Sequence, residues 1–430
     1  MKPPNLVVSD AAGNVFDVPQ LSMAGASLDA WAPPDEHSLV PLPRSSLVFT
    51  LPSHIPVGFD GQKKVFVVLR EYGGRPVYAA AAFMPPGYVC TRHPAYEAPD
   101  GAPRLPLYCY AAVGWKNGRF YAAGHRIDRK LRHEIPDSAL AAIDERARVM
   151  RARHPRNRLV GHLVDNCVLT YRCPNACNLV LGRWECPVPV SRACNAACIG
   201  CISHQRASSR VPSTQHRIDF TPTTAEIADY VVPHLQHASS PIASFGQGCE
   251  GEPLLEADLL EDSIRAIRSA TCRGVINLNT NASLPRAVER LCRAGLSSMR
   301  VSLNSAQAGF YRAYYRPRGY SFDDVRESLR IAKRHGLWVS LNYLVFPGFT
   351  DHPAEISALR RLVRAARPRM IQTRNLNIDP AWYRSALGLD GMPRRSIGMA
   401  PWIAAMRREF PDVKLGYFNP TGDMIGAARF

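Results

Sequence analysis

Across residues 45–129 apolar side chains come in short runs punctuated by Gly and Pro: LVFTLP, KKVFVVLREY, PVYAAAAF and LYCYAAVGWKNGRFYAAGHRI. Runs of this length, rich in β-branched and aromatic residues and joined by turn signals such as WKNGRF, predict a small antiparallel β domain. Residues 1–44 are Pro- and Ala-rich with weak periodicity and predict an irregular arm. A helical pattern over 137–152 leads out of the β-rich region.

From residue 185 onward the pattern changes to short apolar runs alternating with amphipathic stretches, the mark of repeated βα units and a parallel sheet. Strands are predicted at 187–190, 242–245, 275–279, 299–303, 338–345 and 370–374. Thr223 with Glu226 and Ser321 with Asp324 have the spacing of capping boxes, and Gly295 and Gly336 sit where helices should stop. Six units make a partial (β/α)6 barrel, so the fold class is α/β with a smaller N-terminal antiparallel β-rich domain. The chain divides into an arm (1–44), a β-rich domain (45–160), a Cys-rich connector (161–185), the barrel (186–376) and a C-terminal extension (377–430). In such sheets chemistry lies at the carboxyl ends of the strands. CNAACIGC, GQGCEGEP, NTNAS, SLNSA and FPGFTD all fall there, while the Ser-rich segment 203–217 reads as a mobile loop.

Composition adds little to this picture. The 430 residues are 46% hydrophobic and 21% charged, which is ordinary for a globular protein. No apolar run is long enough to span a bilayer and the first residues lack a signal-peptide core, so the expected compartment is the cytoplasm. A net charge of +17 admits an anionic partner such as nucleic acid. The arginines are spread along the whole chain, however, and no basic stripe with interleaved aromatics appears; the densest run, 146–158, reads as a solvated helix face.

The cysteines change the picture most. Of the 12 in the chain, Cys167, Cys173, Cys177, Cys186, Cys194, Cys198 and Cys201 crowd together, which in a cytosolic chain favours metal binding over disulfides. Cys90, Cys109, Cys249, Cys272 and Cys292 are scattered and read as small core residues. Cys194, Cys198 and Cys201 follow the first barrel strand as C-x3-C-x2-C. Soft thiolates select zinc, copper(I) or iron–sulfur clusters. Zinc would recruit a fourth ligand, for which His204 is near; a 4Fe-4S cluster on three cysteines would keep one iron open.

The CNAACIGC loop at the end of the first strand of a six-unit β/α region resembles the cluster loop of the radical S-adenosylmethionine (radical SAM) superfamily. Further elements follow in the same order. Gly251-Glu252-Pro253 resembles the family's GEP element, Thr280-Asn281 its TN(G) strand ending with Ala282 in the place of Gly, and Arg300 to Asn304 its strand-four element. Pro347 to Asp351 resembles its PG-x-TD turn.

The resemblance implies a partial barrel in which Cys194, Cys198 and Cys201 hold a 4Fe-4S cluster whose open iron chelates S-adenosylmethionine. It implies that reductive cleavage yields a 5′-deoxyadenosyl radical, which abstracts a substrate hydrogen. Gly251, Glu252, Pro253 and Asn281 would then meet the amino group and its surroundings, Ser302 and Asn304 the carboxylate or ribose, and Val345 and Phe346 the adenine. An electron donor such as flavodoxin or ferredoxin is implied as partner. One departure stands out: the family commonly places an aromatic before the third cysteine, where this chain has Gly200.

Upstream, Cys167, Cys173, Cys177 and Cys186 leave three readings open: an auxiliary iron–sulfur cluster, a structural zinc, or buried thiols without metal. Arg374, Asn375, Asn377 and Asp379 follow the sixth strand and read equally as substrate ligands or turn residues. Tyr314, Tyr315 and Arg316 are placed to reach the site from the loop after strand four. The leading function is radical SAM modification of an unidentified substrate, a peptide, protein or natural product. The alternatives are radical SAM modification of RNA and a non-catalytic zinc-containing nucleic-acid-binding protein.

Overall fold

The computed structural model describes residues 3–28, 30–130, 134–393 and 395–427. The C-terminal half forms a parallel sheet whose strands lie in chain order: β1 (Glu185–Val188), β2 (Ile242–Phe245), β3 (Val275–Thr280), β4 (Ser298–Leu303), β5 (Trp338–Val345), β6 (Met370–Asn375) and β7 (Lys414–Gly416). The first three are buried at every residue, as parallel strands covered on both faces must be. Their inward polar residues satisfy one another: the Asn277 amide donates to Asn279 Oδ1 at 2.8 Å, and the Ser298 hydroxyl donates to Asn277 Oδ1 at 2.8 Å.

The sheet has seven parallel strands where the sequence predicts six. Lys414–Gly416 is only three residues long, too short to leave a hydrophobic run, and it exists by pairing with Met370, Ile371 and Gln372. The first strand also begins earlier than predicted, at Glu185, so Cys186 lies within it.

Both capping boxes form. The Thr223 hydroxyl accepts from the Glu226 amide at 3.2 Å, and the Glu226 carboxylate accepts from the Thr223 amide at 2.8 Å, opening helix Thr224–His237. Ser321 and Asp324 do the same for Phe322–Arg334. Gly295 closes Pro285–Ala294 in the left-handed region at φ +111. The predicted helix over 137–152 is broken into Asp137–Leu140 and Ile143–Arg153.

The N-terminal residues pair into an antiparallel sheet. Tyr78–Phe83, the YAAAAF run, shows the period of two: Ala80 and Ala82 pack in one core cluster, Ala79 and Ala81 in another. The WKNGRF turn joins Val113–Lys116 to Arg119–Arg126, with Asn117 and Gly118 both at positive φ, as a two-residue hairpin requires. The expectation of an irregular arm over 1–44 is not met. Asn5–Ser9 and Val15–Met23 are strands of this sheet, and Asn5–Ser9 pairs with Val15–Met23, Tyr78–Phe83 and Val113–Lys116. Two of those three partners are distant in sequence, so local composition could not reveal the pairing.

This β domain is fastened over the carboxyl ends of the barrel strands. The Leu28 amide donates to the Pro347 carbonyl at 2.9 Å, the Cys90 amide to Asn375 Oδ1 at 2.7 Å, and the Leu105 amide to Asp379 Oδ2 at 2.9 Å. Gly348, at φ +94, is the turn residue beneath Leu28: an added Cβ would stand 2.7 Å from the Leu28 backbone nitrogen. No helix among the described residues is long and apolar enough to cross a membrane.

Candidate active site

The loop that follows β1 carries Cys194, Cys198 and Cys201, and it is pinned on every side. The Ala197 and Ile199 amides donate to the carbonyls of Tyr315 and Tyr314 at 2.8 and 3.1 Å, and the Arg318 amide donates back to Asn195 at 2.8 Å. Gln205 donates to the Ile199 and Cys201 carbonyls. These contacts place the three cysteines along one wall of a cavity of about 580 Å³.

The loop after β2 docks against this one through backbone. The Gly251 amide donates to Ser191 at 2.6 Å and the Glu252 amide to Ala193 at 2.8 Å. A Cβ on Gly251 would lie 1.8 Å from the Ala193 carbonyl oxygen, so only glycine permits the approach. Glu250, which the sequence reading did not single out, accepts from the amides of Val190, Ser191 and Gln247 at 2.8, 3.0 and 2.6 Å and so ties the two loops together. Burial pushes its carboxyl up to about 8.

Glu252 lines the cavity, as does Glu250. The Glu252 carboxylate accepts from the Asn281 amide at 2.8 Å, from the Leu254 amide at 3.1 Å and from the Thr280 hydroxyl. It is 4% exposed, and burial raises its pKa to about 7 despite these donors. A carboxylate held this way favours a cation as its remaining partner. Asn281 donates to Asn195 Oδ1 at 2.8 Å, linking the end of β3 to the cysteine loop. Ala282 has φ +56, the left-handed region that glycine enters without strain, which accounts for glycine being usual in the element it resembles.

Of the residues expected to meet S-adenosylmethionine, Gly251, Glu252, Pro253, Asn281 and Ser302 line the cavity with the three cysteines. Asn304, Val345 and Phe346 do not. Asn304 donates to the Phe310 carbonyl at 3.1 Å, Val345 is wholly buried, and Phe346 packs between His93 and Tyr383. Arg374, Asn375 and Asn377 reach the cavity, whereas Asp379 caps Pro380–Leu387 and holds Leu105. Phe83, Met84, Pro86, Leu107, Tyr108 and Cys109 form an apolar roof from the β domain. Sequence reasoning missed this roof because its residues are indistinguishable from core until the domains meet.

Arg300 and Arg374 give the cavity a positive side. Burial, with repulsion from Arg374 behind it, pulls Arg300 down to about 9, and its Nε is buried without a hydrogen-bond partner. Arg374 donates to Asn342 Oδ1 at 2.8 Å and lies 3.7 Å over the Tyr417 ring. At position 200 the missing aromatic is answered from another element: Tyr314, from helix Ala308–Tyr315, lines the cavity with its hydroxyl 2.7 Å from where a Cβ on Gly200 would stand.

Cys194, Cys198 and Cys201 line one cavity, and His204 is exposed and lines the neighbouring groove with Cys194 and Cys198. Burial pushes the Cys194 thiol up to about 11 and raises the Cys198 thiol well above its ordinary value, so both thiolates need a cationic centre to be held as ligands.

Cys167 meets Cys249, sulfur to sulfur at 3.5 Å, while Cys186 is wholly buried in β1. Of the five scattered cysteines, Cys90, Cys109 and Cys249 are buried, Cys292 is half-buried and Cys272 is exposed, contrary to the core reading for that last residue.

Residues 188–359 match the family described as the radical SAM superfamily. Solved structures similar to the chain include SuiB of Streptococcus suis bound to precursor peptide SuiA, at 13% identity over 74% of this chain and 71% of that one, with a TM-score of 0.39. The FeFe-hydrogenase maturase HydG from Carboxydothermus hydrogenoformans aligns at 12% identity over 69% of this chain and 74% of that one, TM-score 0.36. Native anSMEcpe with bound AdoMet aligns at 16% identity over 44% of this chain, TM-score 0.34; the match spans about half of that protein, 51%.

Proposed function

Because residues 188–359 belong to the radical SAM superfamily, a family of enzymes, we propose that this enzyme reductively cleaves S-adenosylmethionine and abstracts hydrogen from a substrate held under the β-domain roof. The observation that carries the reading is the convergence of Cys194, Cys198, Cys201 and the buried Glu252 on one cavity. Cys194, Cys198 and Cys201 would hold the 4Fe-4S cluster. When bound, that cluster supplies the electron that breaks the sulfonium to methionine and a 5′-deoxyadenosyl radical.

The chain's own residues supply the rest. Glu252, braced by Thr280 and Asn281, receives the ammonium of S-adenosylmethionine. Gly251 keeps the β2 loop close enough for that carboxylate to stand beside Cys194. The apolar roof excludes water from a radical that water-borne reductants would quench. Arg300 and Arg374 favour a substrate with an anionic group, and a peptide carboxylate fits this preference.

A second groove, of about 320 Å³, opens behind Cys194 and Cys198 and is lined by Arg104, Arg206, Arg217, Arg316 and Arg318. We assign it to an acidic electron donor of the flavodoxin or ferredoxin type. Reduction through it should slow steeply with salt, whereas reduction by dithionite should not. The non-catalytic zinc protein is set aside, since zinc binding does not explain the family match. Modification of RNA keeps only the net charge in its favour.

The decisive experiment is anaerobic reconstitution with iron and sulfide, followed by dithionite and S-adenosylmethionine. We expect 5′-deoxyadenosine from the native chain and none from the Cys194→Ala, Cys198→Ala, Cys201→Ala variant. A colourless native protein that makes no 5′-deoxyadenosine would overturn the reading.

A further inference from the structure

A second set of metal-ligating side chains lies outside the cavity. An imidazole nitrogen of His162 and the sulfurs of Cys167 and Cys249 all stand within 4.8 Å of one another. The sulfurs are 3.5 Å apart, close to the separation of about 3.8 Å that two thiolates adopt on one zinc. Both cysteines are buried, and Nε2 of His162 is buried without a hydrogen-bond partner.

The backbone explains why these residues meet. His162 and Cys167 are five apart, a spacing that an α-helix spreads over about 140° of its circumference. Here the segment His162–Thr170 is a π-helix, whose i→i+5 hydrogen bonding brings residues five apart back onto one side. Such a helix is rare, and here it aligns two ligand types on the side that faces the loop after β2. Cys249, the third member, belongs to that loop, one residue before Glu250.

We propose that His162, Cys167 and Cys249 bind a single zinc ion, distinct from the centre held by Cys194, Cys198 and Cys201. Two thiolates and an imidazole are a donor set that zinc prefers and that magnesium or calcium does not. The ion would join the connector to the loop that carries Glu250, Gly251 and Glu252. It would thereby hold the S-adenosylmethionine-binding strand end from behind.

The test uses the full chain in the Cys194→Ala, Cys198→Ala, Cys201→Ala background, so that its outcome does not depend on the radical chemistry. Protein expressed in zinc-supplemented medium and purified anaerobically should contain about one zinc per chain by mass spectrometric metal analysis. Exchange for cobalt(II) should give thiolate-to-cobalt charge transfer and tetrahedral d–d absorption. Adding Cys167→Ser, Cys249→Ser or His162→Gln should each weaken zinc binding by roughly tenfold or more. Adding Cys186→Ala, a thiol of the same segment outside the set, should leave it unchanged.

Several results would overturn the proposal. One is a background variant that carries no zinc and takes up no cobalt, and another is equal loss on Cys186→Ala. A brown iron- and sulfide-containing centre in that background, or a thiol count lowered by a Cys167–Cys249 disulfide, would do so as well.

Discussion

The hydroxyl of Tyr314 stands 2.7 Å from where a β-carbon on Gly200 would be placed. An aromatic at position 200 would therefore force the Tyr314 side chain to shift, because Tyr314 occupies the space beside Gly200 on the cavity wall. Tyr314→Ala should raise the Kd for S-adenosylmethionine about 3- to 10-fold, the range of one lost aromatic contact. The double variant Gly200→Phe with Tyr314→Ala should recover part of that loss. Equilibrium binding to the reconstituted protein measures both, and an unchanged Kd in Tyr314→Ala would remove the tyrosine from the site.

Glu252→Gln keeps the shape of the side chain and removes its charge. With a bound ammonium as partner, this should weaken S-adenosylmethionine binding by about 10- to 100-fold, the worth of a hydrogen bond to a charged group. Burial holds the free carboxyl near pKa 7, so part of the population is protonated at pH 6.5 and must lose that proton when the cation arrives. Calorimetry in buffers of different ionisation enthalpy should show proton release for the native protein and none for Glu252→Gln. Equal release from both would refute the pairing.

Gly251→Ala sets a methyl group 1.8 Å from the Ala193 carbonyl oxygen, with backbone on both sides of the contact. One of the two loops must give way. The variant should fold with its barrel intact by circular dichroism but bind less than half the iron of the native chain after reconstitution, because Ala193 adjoins Cys194. Native-like iron content would show that the loops tolerate separation. Overpacking of this kind typically costs about 1–3 kcal/mol.

Arg158 pairs with Glu226 at 2.8 Å, and that bond, backed by the Thr223 cap, lowers the Glu226 pKa to about 2. A depressed acid contributes stability above its ordinary value of 4.5 and loses that contribution as pH falls through about 2. Thermal melts should therefore decline between these two values in the native protein and more shallowly in Glu226→Gln. Parallel curves would show that the pair adds nothing to stability. Because the pair joins the residues before the π-helix to helix Thr224–His237, its loss should also loosen the connector.

The barrel was readable because its signals are local. The Thr223 and Ser321 boxes, the helix stop at Gly295 and the buried runs of β2 and β5 each depend on neighbouring residues, and each appears at the predicted place. What escaped notice depends on distance. Asn5–Ser9 becomes a strand through partners near residues 79 and 114, and Lys414–Gly416 through the edge of β6. Within the site, Glu250 looked like one acid among several, and its three amide donors lie on two separate loops. Cys249 resembled any buried thiol until the π-helix brought Cys167 against it. Asn304 failed in the other direction: its place at the end of β4 suggested the cavity, but its amide turns to the Phe310 carbonyl.

The fastening of the β domain to the barrel has a consequence for traffic. Bonds from Leu28 to Pro347, from Cys90 to Asn375 and from Leu105 to Asp379, with Arg104 donating to the Ser209 carbonyl, hold the roof to the segment after β5, to the end of β6 and its following segment, and to the segment after β1. A ceiling anchored at three corners does not swing aside as a hinge. Anything larger than the chamber has to extend a protruding segment through its doorway, and selection among such molecules becomes a matter of reach.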